Sequence, residues 1–116
     1  MTGTVYESLH REIVEDLTIE LQTDINFNQN ILSIKVKNAI KEVKLKRNYE
    51  NSSYSEKEIA KDLERYFSTI RKVALYDYNQ IGVEGQQSHS ESGISRTWVE
   101  REKMFEGVYA FVKVLH

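Results

Sequence analysis

The stretch Ser55–Ile81, SEKEIAKDLERYFSTIRKVALYDYNQI, decides how this chain folds. Ser55 followed by Glu58 is a capping box: the serine side chain serves an orphan N–H of the first turn and the glutamate reaches back to the serine. A helix is therefore expected to start near Glu56 and to run to about Gln80. Ile59, Leu63, Tyr66, Phe67, Ile70, Val73, Ala74, Tyr78 and Ile81 recur at helical spacing and make this the core helix of the domain. Asp77 falls in the middle of that stripe, where an unpaired charge is costly. Arg47 falls similarly on the apolar side of the helix before it. Asp77 is expected to be satisfied by Arg47 or by a tyrosine hydroxyl, as a structural pair or cap rather than a catalytic carboxylate.

Upstream, two further helices are expected. Tyr6, Leu9, Ile13, Val14, Leu17 and Leu21 share one side of a helix from about Val5 to Gln22. TDINFNQN then breaks the pattern and offers Asn26 or Asn28 as an N-cap. The next helix spans about Gln29 to Arg47, with Leu32, Val36, Ala39, Ile40 and Val43 as its apolar stripe. Ile31, Ile34 and Leu45 lie away from that stripe. A helix apolar on two sides is expected to be buried twice, and in so small a chain a neighbouring subunit is the natural second cover.

The two helices are charged oppositely. Met1–Phe27 holds six acids and one base, Asn28–Asn48 six bases and one acid, for local charges of −5 and +5. The simplest expectation is an antiparallel pair with complementary charges, since most charge runs are solvated faces. The functional alternative is a basic face, Lys37, Lys41 and Lys44, for DNA or an acidic partner.

Downstream, GVEGQQSHSESG reads as a flexible loop or a short β-hairpin. Thr97 followed by Glu100 is a second capping box, so a short helix is expected over about Trp98–Phe105, ended by Gly107. The tail VYAFVKVL fits either a docked strand or a continuation of that helix. The fold class is thus mainly α: three main helices and a short C-terminal helix in one domain, with a long polar segment before the last.

The bulk composition narrows the function. The chain has 116 residues, 40% hydrophobic and 29% charged, a globular profile with room for one compact domain. A net charge of −2 does not suit a molecule that binds nucleic acid over its whole surface. The absence of cysteine excludes a disulfide framework, a thiolate zinc site and a Cys nucleophile. No apolar run approaches the roughly 20 residues that span a bilayer, and MTGTVYESLHRE has neither the basic start nor the apolar stretch of a signal peptide. A soluble protein made in the cytoplasm is expected. There is no proline, so helix breaks must come from Gly, Asn and Ser.

Sites of chemistry are sparse. His89 lies between Ser88 and Ser90 and beside Glu91, but adjacent residues do not build a nucleophile–base–orienter relay, and no G-x-S-x-G elbow surrounds the serines. His10 is expected to be packed against the first helix's apolar side. No H-x-x-x-H pair suggests a metal, and no cofactor is expected. GVEG lacks the G-K-[ST] ending of a phosphate loop. Arg96, Trp98 and Arg101 cluster after the polar segment and are residue types favoured at interface hot spots.

Two runs carry a resemblance: KVKNAIKEVKLKRNY (Lys35–Tyr49) and IRKVALYDYNQIGVEGQQSHSESGISRTW (Ile70–Trp98). Over roughly Asn26 to Leu115 the chain resembles the small head–tail connector proteins of long-tailed bacteriophages and prophages, often labelled DNA-packaging proteins. The resemblance implies a non-catalytic helical subunit whose copies form a ring, commonly dodecameric, under the portal protein. Such a ring extends the DNA channel without sequence-specific grip and receives the next head-completion protein. It implies assembly in the host cytoplasm and a final place at the virion neck. Gly82–Trp98 would be the subunit-contact loop, with Gly82, Glu84, Gly85, His89, Glu91, Arg96 and Trp98 at the subunit or portal interface, together with Ile34 and Leu45 of the second helix. That loop is expected to be mobile in a lone subunit and ordered by a neighbour or by the portal. The alternatives from other classes are a small helical DNA-binding regulator using Lys37, Lys41 and Lys44, and a small enzyme using His89 and Asp77.

Overall fold

The computed structural model describes residues 4–80 and 99–112. It is helical, with no strand among the described residues. The elements are α1 (Thr4–Leu21), α2 (Gln29–Arg47), a 3₁₀ turn (Tyr49–Asn51), α3 (Glu56–Glu64), α4 (Phe67–Asn79) and a short helix α5 over 99–103. None of the described helices is long and apolar enough to cross a membrane.

The ends of α2 follow from local chemistry. Asn28 takes an extended conformation and its side chain accepts from the Ile31 N–H at 3.1 Å, which fixes the start. At the other end Asn48 sits in the left-handed region at φ 56°, and its N–H reaches the Lys44 and Leu45 carbonyls. Asparagine is among the few non-glycine residues that adopt this conformation readily, so the stop is written into the sequence.

α1 and α2 are antiparallel. Gln29 reaches Thr18 near the turn that joins them, His10 contacts Ser33, and Lys44 lies over the ring of Tyr6 near the far end. α4 runs antiparallel to α2, with Tyr78 beside Asn28 at one end and Tyr66 beside Arg47 at the other. One core joins them all: Leu9, Ile13 and Leu17 of α1, Leu32, Val36 and Val43 of α2, Leu63 of α3, Ile70 and Val73 of α4, and Phe105 after α5. Each such side chain removed from water contributes about 1.5–3 kcal/mol before the cost of ordering it.

The helix expected over 56–80 is two helices. Its capping box is formed as expected, with Glu58 Oε1 accepting from Ser55 N and Ser55 Oγ from Glu58 N. At Arg65 and Tyr66, however, the backbone tightens: Arg65 N donates to Asp62 O and Tyr66 N to Leu63 O, both i to i−3. No Gly, Asn or Ser is involved. A step of three rather than four keeps the apolar residues on the inner side, so the periodic stripe passes through the break unmarked. α3 meets the C-terminal end of α2 through Asp62 and Arg47, while α4 runs along the length of α2.

After α5, single i to i−3 bonds carry the chain through Met104, Phe105 and Glu106 to Val108. Residues 109–112 take neither of the two forms open from sequence. They dock without strand or helix: Phe111 N donates to Arg47 O at 2.7 Å, and Asn48 Nδ2 to Phe111 O at 3.3 Å.

Candidate functional site

Two arginine clusters fasten the C-terminal segment to the helices, and one unfilled helix face remains beside them. The first cluster is centred on Arg101 of α5. Its Nε and Nη2 donate to the two oxygens of Asp77, both at 2.8 Å. Nη1 and Nη2 donate to Glu42 at 2.8 and 2.6 Å. One guanidinium therefore ties α2, α4 and α5 together, and it brackets the two ends of the 81–98 segment. Hydrogen bonds first to Asp77 and then to Glu42 hold the Arg101 pKa well above the ordinary range. The Arg101 hydrogen bond in turn holds Glu42 below the ordinary carboxylate range, against the effect of burial.

The second cluster is centred on Arg47, which is buried at 9% exposure. Its Nε donates to Asp62 Oδ2 at 2.8 Å and its Nη1 to the Tyr109 carbonyl at 2.6 Å. The Tyr49 hydroxyl donates to the same Asp62 oxygen at 2.6 Å. The guanidinium is stacked by Phe111, whose ring centroid lies 4.3 Å away. Burial, then the hydrogen bond to Asp62, push the Tyr49 hydroxyl far above the usual phenol range. Burial works against the Arg47 charge, and the bonds to Asp62 and Tyr49 outweigh it.

The expected partner of Asp77 is thus corrected. Asp77 is satisfied, as a charge in that stripe must be, but by Arg101 and not by Arg47 or a tyrosine. Arg101, which sits with Arg96 and Trp98 among residue types favoured at interfaces, spends its donors inside the chain on Asp77 and Glu42. Arg47 pairs instead with Asp62, a residue absent from the expectations above. The available signal was Asp62's place three residues after Ile59 and next to Leu63, on the inner side of its helix.

His10 is packed, its Nε2 donating to the Ser33 carbonyl at 2.9 Å. Among the described residues no group of three or more His, Asp or Glu is placed to hold a metal. The α1 acids do not neutralise the α2 lysines as expected. Asp16 and Glu20 both pair with Arg71 of α4, the second at 2.6 Å. No ion pair joins an α1 acid to an α2 lysine among the described residues.

The outer side of α2 is what remains. Ile34, Lys41 and Leu45 stand at i, i+7 and i+11, which places them in one row. Ile34 is 56% and Leu45 80% exposed, and Lys37 and Lys41 are exposed beside them. Lys44 is drawn aside onto the Tyr6 ring, 4.2 Å from its centroid. Between this row and α1 runs an open groove of about 380 Å³ lined by Tyr6, Glu7, His10, Lys37, Ile40, Lys41 and Lys44. The candidate interface residues Gly82, Glu84, Gly85, His89, Glu91, Arg96 and Trp98 lie outside the described residues, as does the choice between loop and hairpin for that segment.

Compared with models of protein families, with curated protein sequences and with solved structures, the chain matches none.

Proposed function

We propose that this protein is a structural subunit of a phage head–tail connector ring, which docks under the portal protein, extends the DNA channel and receives the next head-completion protein. The observation that carries the reading is the resemblance of Lys35–Tyr49 and Ile70–Trp98 to such proteins. The outer face of α2 supports it: two large apolar side chains 56% and 80% exposed on one row suit a subunit that is covered by others. The Arg101 cluster supports it too. It joins Arg101 of α5 to Asp77 of α4 and Glu42 of α2, so the described helices on either side of 81–98 are fastened to one another. A subunit of this kind works by assembly, in the host cytoplasm and then at the virion neck, and lets DNA slide past without a tight phosphate grip.

Deletion of residues 84–92 tests the reading. The variant is expected to keep its helical circular dichroism and to leave capsids without a completed neck. Normal capsid completion by the deleted chain would refute it.

One observation favours a second reading, a small DNA-binding regulator: Lys37 and Lys41 are exposed and in no ion pair among the described residues. That reading requires salt-dependent duplex binding by the isolated protein, lost when Lys37, Lys41 and Lys44 are changed to glutamine.

A further inference from the structure

The chain carries two outer helix faces of complementary charge that no ion pair joins among the described residues. On α1, Glu12, Glu15 and Ile19 stand at i, i+3 and i+7 and share the side turned away from the core. All three are exposed, Ile19 at 69%. Arg11 flanks the row and leaves it net acidic. The neighbouring acids Asp16 and Glu20 are already spent on Arg71, whereas Glu12 and Glu15 have no ion-pair partner among the described residues. On α2, Lys37 and Lys41 are in the same condition, with Ile34 and Leu45 in their row. Each face thus pairs two unspent charges of one sign with exposed aliphatic side chains, and the signs are opposite. The opposite charges of the two segments, plain in the sequence, are not consumed by pairing α1 acids with α2 lysines among the described residues.

We propose that the Glu12–Glu15–Ile19 face of one copy docks on the Lys37–Lys41–Leu45 face of a second copy, head to tail. The two faces differ, so each copy offers one of each and the contact can propagate; it is heterologous rather than a two-fold pairing of like surfaces. The inference rests on the assembly reading above only for closure of that contact into a ring. The rows are about 10 and 16 Å long at 1.5 Å per residue. Two helix faces of that size bury less than the roughly 1,200 Å² of a stable interface. The contact is therefore weak between free copies, is weakened by salt, and gains from any further surface or template that holds the copies side by side.

Zero-length carboxylate–amine cross-linking of the full chain tests this, using an equal mixture of unlabelled and ¹⁵N-labelled protein at high concentration and low salt. The expected product is a mixed-isotope peptide joining the Glu12–Glu15 segment to the Lys37–Lys41 segment. The charge-reversed chains E12K/E15K and K37E/K41E should each sediment more slowly than the parent when alone at the same concentration and low salt, because both faces then carry one sign. Mixed together, they should regain copy-to-copy association, seen as a rise in sedimentation coefficient over either alone. Circular dichroism confirms that these surface changes leave the helices intact. A product of single isotope only, no α1–α2 product, or no recovery on mixing overturns the proposal. Binding of duplex DNA through Lys37 and Lys41 without any α1–α2 link overturns it as well. The outcomes separate from those for the connector reading. Linked copies that never add to portal-bearing capsids keep this contact and refute the connector; capsid addition with no α1–α2 link does the reverse.

Discussion

The inner and outer sides of α2 obey opposite rules. On the inner side every demand is met within the chain: Leu32, Val36, Ala39 and Val43 are fully buried, and the charge of Arg47 is answered by Asp62, a carbonyl and an aromatic stack. On the outer side only Lys44 finds a partner among the described residues, the ring of Tyr6. Ile34 and Leu45 face solvent, and Lys37 and Lys41 stand beside them. The same helix thus shows which residues hold the fold and which are left over from it. A residue that is costly to the isolated chain, or useless to it, is the place to look for function.

The comparison can be broken first at the inner side. Asp62→Ala leaves Arg47 buried at 9% exposure without its carboxylate and removes the acceptor of the Tyr49 hydroxyl. Loss of one member of a buried pair typically costs about 3–5 kcal/mol. A fall of that size is expected in chemical denaturation. A variant as stable as the parent would show that the Arg47 cluster does not fasten the C-terminal segment.

Next is Arg101→Met, which unties α5 from Glu42 and Asp77. A loss of about 2–3 kcal/mol is expected at neutral pH, because two partly buried carboxylates lose their charged partner. The pH dependence gives a sharper check. Glu42 has its folded pKa depressed below the ordinary 4.5, so its contribution is complete above that value and is lost as pH falls through the folded value. The stability gap between parent and Arg101→Met should therefore narrow on acidification through the carboxylate range. A gap that stays constant, followed by thermal or urea denaturation at a series of pH values, would assign the loss to packing instead.

The smallest effect is expected outside. Ile34→Ser together with Leu45→Ser should change folding stability by no more than about 0.5 kcal/mol, since both side chains are mostly exposed and neither belongs to the core. The same double change should reduce subunit assembly. Marked destabilisation would mean that these side chains are part of the core, contrary to their exposure.

How much of this was legible in the sequence depends on whether the signal was local. The bounds of α2 and the Ser55–Glu58 box involve residues within four positions of each other and could be read directly, whereas the cap could be narrowed only to Asn26 or Asn28, of which the structure uses Asn28. The break at Arg65–Tyr66 could not, because an i to i−3 step preserves the apolar stripe that periodicity measures. The need for a partner at Asp77 was readable from its place in that stripe. The partner was not, since Arg101 lies 24 residues away across a segment whose path no pattern fixes. Arg101 was legible as an important residue and misread as an outward one, because Arg is favoured both at interfaces and in internal carboxylate clamps. The outer face of α2 was visible as apolar residues off the main stripe. What it took structure to add was that the lysines beside them remain unspent, the α1 acids having gone to Arg71 or to solvent.

The most direct test of the central claim is electron cryo-microscopy of tail-less, portal-bearing capsids after addition of the purified chain. The connector reading predicts a ring of density beneath the portal into which this helical body fits with the outer face of α2 covered by a neighbouring copy. Capsid vertices that gain no such density, under conditions where they accept the remaining neck proteins, would contradict it.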